Sequence, residues 1–353
     1  MTQTAQKAFK TAVVILNWNG KSMLEQWLNL VVEHSLDGSS TVEVVMADNG
    51  STDGSLEYVR EHFPQTVRCI DLGRNYGFAE GYNLALSEVD AEYVVLLNSD
   101  VEVTPGWLGI LTDYLDAHSD VAGCQPKVLD MKCRSLFEHA GASGGFIDAL
   151  GYPFCRGRVL ELIEGDYGQY NSTVDVFWAT GACLCIRLDA YREVGGLDAR
   201  FFAHMEEIDL CWRLHHKGYR FVCVGASTVY HLGGGTLNKS NPHKTYLNFR
   251  NNLLMLYKNL PDERLWLVMA ARFVMDYLSA LIFLLAGKEA DAQAVCHARR
   301  DFWQMRKAIH VQRREIVGNS RMKFFPGFYD GSIVLGYHLF GKKRFTDYFP
   351  LLR

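Results

Sequence analysis

From residue 12 to about residue 130, short apolar runs alternate with stretches whose apolar residues recur at helical spacing. The short runs cover 12–16, 42–47, 67–72 and 93–97, and each is rich in Val, Ile or Leu. Between them, 23–34, Ser55–His62 and 79–88 carry the helical period. A further helix over 107–118 leads to a strand near 121–126. This alternation predicts strand-helix-strand units on a parallel sheet.

The residues just past each strand carry more information. Strand one runs into Asn17-Trp18-Asn19-Gly20, and strand two into Asp48-Asn49-Gly50-Ser51-Thr52-Asp53-Gly54. Strand three leads into Gly73-Arg74-Asn75-Tyr76-Gly77-Phe78, and strand four into Asn98-Ser99-Asp100. All four polar clusters therefore fall at the carboxyl ends of parallel strands, the edge along which open α/β sheets bind ligands.

The pattern then changes. Residues 130–175 are irregular and rich in Gly and aromatics, which reads as a long functional loop or lid. A strand over 182–187 comes after Trp178-Ala-Thr-Gly181, a helix runs from Glu206 to about Lys217, and strands resume over 220–224 and 227–231. After about Thr245 only helix is expected. Residues 264–286 are strongly apolar, and 297–323 are basic.

Composition narrows the field. Of 353 residues, 48% are apolar, which excludes wholesale disorder. The formal net charge of −4 argues against nucleic acid as a partner. Nine cysteines include no C-x-x-C pair, and Cys183-x-Cys185 is not a zinc spacing, so reduced thiols in a cytosolic protein are expected. The N-terminus shows no signal-peptide pattern, and without secretion the sequons at Asn49 and Asn171 are chance matches.

Asp100 at the tip of an apolar strand suits a hard divalent cation that bridges phosphates, although Asn-Ser-Asp is also an ordinary turn. Asp48, before its turn, can accept hydrogen bonds from a base, whereas Ser51, Thr52 and Asp53 read as capping residues. Arg74 is a plausible phosphate partner, against a reading of tight turn packing. Glu206, Glu207 and Asp209 open a helix, where acids also serve the macrodipole. Asp209 and Arg213 are spaced to pair on that helix. That leaves Glu206 and Glu207 free, ionised as a general base must be. His231 ends a strand before Leu-Gly-Gly-Gly, which favours a ligand-facing role.

Together these residues resemble the family 2 glycosyltransferases, in particular the bacterial rhamnosyltransferase-like branch that builds cell-surface polysaccharides. The matching elements are VVILNWNG, ADNGSTDGS, GRNYGFAEGYN, LLNSDVEVTPGWL, FWATGACLCIR, GGLDARFFAHMEEIDLCWRL and VYHLGGGT, in family order over about residues 11–250. The resemblance implies the α/β GT-A fold, a Rossmann-like, mostly parallel sheet flanked by helices. It implies a catalytic domain over 1–245, with a nucleotide-binding half at about 10–128 and an acceptor and base half at about 129–245. Residues 246–353 would form a C-terminal helical appendage.

The resemblance also implies roles. Asn17, Asp48, Arg74, Asn75 and Asn98 would bind the nucleotide-sugar donor, dTDP-rhamnose or a UDP-sugar. Asp100 and His231 would hold Mg2+ or Mn2+. Glu207 stands where the family usually has Asp, as catalytic base, while Trp178, Gly181 and Glu206 would lie at the acceptor. The implied chemistry is inverting transfer to a hydroxyl of a glycan or lipid-linked glycan. Rival readings are less well served. A nucleotide-sugar-modifying oxidoreductase or epimerase needs G-x-G-x-x-G after strand one, where NWNGKS stands. A processive synthase needs a Gln-x-x-Arg-Trp motif and several membrane spans. A non-catalytic sugar-binding relative would not need both Asp100 and Glu207.

Residues 265–286 are long enough to span a bilayer, yet Arg272 and Asp276 interrupt them four residues apart. That predicts an interfacial or protein-packed helix. With the basic stretch after it, the expectation is peripheral attachment to the inner, anionic face of the cytoplasmic membrane, the alternative being a packed appendage or a homodimer interface.

Overall fold

The computed structural model describes residues 7–36, 40–233, 241–322 and 324–352. The first half alternates as the pattern requires: β1 (Phe9–Asn17), α1 (Lys21–Leu36), β2 (Val42–Asp48), α2 (Ser55–His62), β3 (Val67–Asp71), α3 (Gly77–Ser87) and β4 (Ala91–Asn98). Then come β5 (Val101–Val103), α4 (Trp107–Ala117) and β6 (Val121–Asp130). The second half holds β7 (Gly145–Asp148), β8 (Pro153–Cys155), β9 (Arg158–Val159), β10 (Leu162–Ile163), β11 (Val174–Val176), β12 (Cys183–Arg187), α5 (Leu188–Glu193), α6 (Glu206–His216) and β13 (Arg220–His231). Helices α7 (Pro242–Asn259), α8 (Asp262–Leu285) and α9 (Glu289–Gly318), strand β14 (Phe328–Tyr329) and α10 (Ile333–Leu339) complete it.

The main sheet has the order β11-β13-β6-β12-β4-β1-β2-β3, with β5 beside β13. Strands β4, β1, β2 and β3 are parallel neighbours, and β12 enters antiparallel between β4 and β6. Alternate side chains of one strand enter two different cores. Ala12, Val14, Val45, Leu96 and Tyr82 of α3 lie in one, and Val13, Ile15, Val44, Leu97 and Leu28 of α1 are buried on the other side. A central parallel strand buried on both faces needs this unbroken apolar run. The structure is a mixed α/β fold, with its sheet flanked by helices and a helical C-terminal region.

Three expectations need correction. Residues 130–175 are not an irregular loop: β7 to β10 form a second sheet of order β10-β9-β8-β7-β14. The region after 245 is not helix alone, because β14 pairs in parallel with β7, Phe328 opposite Ile147. Residues 220–231 form one strand rather than two. Its register against β6 slips between Val224 and Thr228, a bulge that breaks the apolar alternation. Lys323 of the basic stretch and Gly234, Gly235 and Thr236 of the VYHLGGGT element lie outside the described residues.

The C-terminal helices share a core with the sheet, since Leu253, Leu254 and Leu256 of α7 join the cluster that holds Leu184 and Trp212. The same seam carries ions. Asp209 of α6 is fully buried and accepts from Arg213 Nε at 2.7 Å, Lys258 Nζ at 2.8 Å and Asn259 Nδ2 at 2.9 Å. The pairing with Arg213 follows from the sequence spacing; the partners from α7 do not.

Removing one member of a buried ion pair leaves a charge without compensation. Asp209→Ala is therefore expected to lower the unfolding free energy by about 3–5 kcal/mol, read from urea denaturation. Asp120→Ala, at the exposed pair with Arg220, is expected to cost less than about 1 kcal/mol. Equal losses would contradict this account of the seam.

Candidate functional site

Strand register sets the polar residues at the strand tips next to one another. Asn17 lies opposite Asp48, Asp48 opposite Asp71, and Leu16 opposite Asn98. Asn17 Nδ2 donates to Asp48 Oδ1 at 3.3 Å and to Ser51 Oγ at 3.1 Å. The other oxygen of Asp48 accepts from the Ser51 amide at 2.9 Å. Both side chains are buried, and Asn17 Oδ1 is a buried acceptor with no protein partner. Gly20 permits this: a Cβ there would lie 2.4 Å from that oxygen.

The neighbouring loop presses against the same edge. A Cβ on Gly50, which has φ +76°, would lie 2.4 Å from Arg74 Cα. Arg74 is exposed, and its guanidinium stacks 4.5 Å above the Tyr76 ring. Asn75 is bound inward: its Oδ1 accepts from the Gly77 amide at 2.8 Å and Asn49 Nδ2 at 3.2 Å, at the start of α3.

At the tip of β4 the chain turns through Asp100 into β5, and β13 brings His231 alongside. His231 Nε2 is 3.1 Å from Asp100 Oδ1 and 3.5 Å from Asn98 Nδ2. Its Nδ1 faces Glu138 Oε1 at 3.6 Å, beyond hydrogen-bonding reach. Glu138 is itself buried and accepts from the Ala140 amide at 2.6 Å. Burial works against charge on His231, but hydrogen bonding to Asp100 and the two carboxylate charges outweigh it and lift the imidazole to about 10. Burial would likewise raise Glu138, yet His231 and the Ala140 amide hold it below its ordinary value.

The two carboxylates thus require a positive charge at this point, and either a proton or a metal ion meets that requirement. An imidazole between a metal-facing carboxylate and a second carboxylate behind it is a recurrent metal-site arrangement. Among the described residues, no group of three or more His, Cys, Asp or Glu side chains is set to hold a metal. Asp100 and His231 fit a site in which diphosphate and water oxygens supply the remaining ligands, the usual manner for Mg2+ and Mn2+. Glu138 carried no sequence signal, being one acid in a stretch without period.

Glu206 and Glu207 begin α6, behind an unusual loop. Phe202, His204 and Met205 all have positive φ, at 63°, 70° and 71°. Non-glycine residues there cost about 1–3 kcal/mol each and persist only where surroundings over-determine them. Phe202 O accepts from the Phe78 amide at 2.7 Å. Asn251 Nδ2 of α7 lies 2.8–2.9 Å from the carbonyls of Phe201, Ala203 and His204. Arg250 donates to Arg200 O at 3.0 Å and Phe201 O at 3.1 Å. Adjacent Asn251 and Asn252 inside an apolar helix pattern are the local sequence signal that could mark this brace.

Glu206 is buried, Glu207 half-buried, and each has a buried Oε2 without a hydrogen-bond partner. The expectation that both stay ionised fails for a physical reason. Desolvation outweighs the helix terminus, pushing Glu207 up to about 7, and burial together with the Glu207 charge drives Glu206 well above its ordinary value. Gly181 leaves the room in front of Glu207: a Cβ there would meet Phe78 at 3.2 Å and Glu207 Cβ at 3.8 Å. The next residue, Ala182, accepts from the Asn98 amide at 3.0 Å. Gly181 therefore links Glu207 to the Asn98–Asp100 tip. Trp178 is enclosed instead. It is 3% exposed, packs on Gly145 and donates its indole N–H to Phe146 O at 2.9 Å.

Known proteins resemble this chain. A family model described as "Glycosyl transferase family 2" matches residues 12–177. An N-acetylglucosaminyl-diphospho-decaprenol L-rhamnosyltransferase of Mycobacterium tuberculosis is 29% identical over 235 residues, covering 62% of this chain and 75% of that protein. These matches show a chain similar to the family 2 glycosyltransferases. Among solved structures, GalNAc-T7 with UDP, GalNAc and Mn2+ superposes with a TM-score of 0.57 at 16% identity, over 74% of this chain and 49% of that one. TarS 1–349 of S. aureus gives 0.55 at 16% identity, over 88% and 89%. These likenesses show the GT-A fold for this chain.

If Asn251 holds the loop that aims Glu207, Asn251→Ala is expected to lower turnover on the order of 10²-fold, the cost of a misplacement of about 1 Å. Donor affinity should change little, because the Asn251 amide is bound to the carbonyls of Phe201, Ala203 and His204 rather than to the donor side. A variant that loses donor affinity and keeps turnover would place Asn251 elsewhere in the reaction.

Proposed function

We propose that this glycosyltransferase transfers a sugar from a nucleotide-diphosphate sugar to an acceptor hydroxyl, with inversion and with help from a divalent metal. The observation that carries the reading is the adjacency of two chemistries across Gly181. On one side is the Asn98, Asp100 and His231 tip; on the other is a carboxylate with a raised pKa and an unpartnered oxygen. A base poised near neutral pH is suited to proton removal at working pH.

In this reading Asn17, Asp48, Arg74, Asn75 and Asn98 receive the nucleotide, and the orphan Asn17 Oδ1 supports that role. Asp100 and His231 hold Mg2+ or Mn2+, which supplies charge stabilisation to the departing diphosphate when bound. Glu207 takes the proton of the acceptor hydroxyl. The freed oxygen attacks the anomeric carbon from the face opposite the diphosphate, the bond to the diphosphate oxygen breaks, and the nucleoside diphosphate leaves. Gly181 and Glu206 border the acceptor, and Trp178 shapes that border from behind through Gly145. Residues 1–245 form the catalytic unit and 246–353 the helical region that braces it.

The relative named above acts in rhamnosyl transfer. That supports dTDP-rhamnose or a UDP-sugar as donor and a glycan or lipid-linked glycan as acceptor, in polysaccharide synthesis. A lipid-linked acceptor favours peripheral placement on the inner face of the cytoplasmic membrane.

Glu207→Gln keeps size and hydrogen-bonding capacity but cannot take a proton. Turnover is expected to fall by about 10²–10⁴-fold with donor affinity retained. In the wild type, turnover should rise with pH through about 7, as Glu207 loses its proton, and this rise should vanish in the variant. A Glu207→Gln protein that turns over near the wild-type rate rules out the base assignment.

Asp100→Asn separates the metal from the base. It is expected to abolish stimulation by added Mn2+ or Mg2+; the thermal midpoint should fall, because the variant also removes a partner of buried His231, while far-UV circular dichroism stays that of the wild type. Full metal-stimulated transfer in this variant would sink the metal assignment.

A further inference from the structure

Helix α8 is inverted relative to a surface helix of a soluble protein. Its only charged residues between Leu265 and Ala286, Arg272 and Asp276, are buried. Arg272 donates to Asp276 at 3.2 Å and to Leu150 O at 3.1 Å, and also reaches Asn252; Arg299 of α9 takes the other oxygen of Asp276. The outward face is apolar throughout. Leu267, Val274, Leu278, Leu281, Ile282 and Leu285 are all exposed, Leu285 by 81%. Trp266, Phe273, Tyr277 and Leu284 widen the band. At 3.6 residues per turn these positions cover about half of the helix circumference.

That width decides between occupants. A seam for a second helix is a narrow stripe flanked by charges. Here the apolar arc is broad, and between Leu265 and Leu285 no exposed charge borders it along the helix. A broad apolar face with cations nearby is the mark of an interfacial helix. The cations are present. Helix α9 folds back along α8 after a short connection and exposes Arg300, Lys307 and Arg314, seven residues apart on one stripe with Trp303 and Val311. The buried Arg272, Asp276 and Arg299 pin α8 to the protein, which argues for lying in one leaflet rather than crossing it.

We propose that the outward face of α8 inserts into a phospholipid monolayer, with Arg300, Lys307 and Arg314 of α9 meeting anionic headgroups. This deepens the peripheral placement proposed above and rests on it, but its test reads lipid rather than sugar.

The purified full chain would be sedimented with vesicles of phosphatidylcholine alone and of phosphatidylcholine with phosphatidylglycerol. Wild type is expected to bind both, more tightly the anionic ones at low salt. Arg300→Gln, Lys307→Gln and Arg314→Gln together should weaken anionic binding by on the order of 100-fold, at ~1 kcal/mol per cation near the surface. Val274→Asp with Leu278→Asp should lose binding to both vesicles with an unchanged thermal midpoint and unchanged hydrolysis of soluble nucleotide sugar. Vesicle binding retained by that double variant overturns the proposal. So does a wild-type dimer in light scattering that the double variant splits, since a second copy would then cover α8. Vesicle binding with no turnover of any nucleotide sugar would instead leave the membrane surface standing and remove the transfer reaction.

Discussion

The carboxylate of Asp209 is the point on which helices α6 and α7 are registered against each other. It is fully buried, and three donors from two helices converge on it. Arg213, held by that carboxylate, turns its other nitrogens to Val194 O and Gly196 O at 2.7 Å. Lys258 reaches on to Asp198, whose carboxyl burial would raise but Arg200 and Lys258 hold well below its usual range. One buried acid thus fixes helix α6, the segment before its strained loop, and α7. Apolar residues of equal volume would match this cluster in stability. They would not specify one rotation of α6 about its axis, and that rotation decides which of two adjacent glutamates faces Gly181.

The loop before α6 shows how the fixed frame is used. Its three non-glycine residues with positive φ would relax if the chain were free. They are held from both ends, by Phe78 and Gly77 of α3 on one side and by Arg250 and Asn251 on the other. Gly77 is required there, because a Cβ would lie 2.5 Å from the Phe202 ring. The strain is the consequence of turning the chain sharply enough to deliver an acidic helix start beside the tip of β4. Burial at that place then raises the pKa of Glu207, so one geometric constraint both places this carboxylate and tunes it.

How much of this is readable without coordinates varies with the range of the interaction. Strand tips are legible because each apolar run ends abruptly in turn-forming polar residues, so Asn17, Asp48 and Asn98 can be set on one edge from sequence. Asp209 with Arg213 is legible as a spacing within one helix. Lys258, Glu138 and Asn251 are not, because their partners lie far away in sequence and nothing local names those partners. The second sheet escapes for the same reason: its strands have two to four residues, too few to show a period, and its edge strand β14 arrives from the far end of the chain. For Glu206 and Glu207, helix position argues for ionisation; burial reverses the sign and cannot be read from sequence.

Helix α7 joins these separate features. Asn251 and Asn252 are adjacent on it, about 100° apart around the axis. Asn251 grips the strained loop that precedes Glu206 and Glu207. Asn252 donates to Gly151 O at 2.7 Å and accepts from Arg272 of α8. The helix that braces this loop therefore also takes the inward charge of the helix whose outer face is apolar. This explains why α8 can carry two opposite charges in an otherwise apolar sequence. They are satisfied within the protein, by α7, α9 and each other, so between Leu265 and Leu285 the outer surface is left without a charge to keep in water. A mostly apolar helix packed in the ordinary sense would have turned its Leu and Val stripe inward and left Arg272 and Asp276 to solvent. Asn252 on α7 and Arg299 on α9 make the reverse orientation the one in which both of those charges are paired.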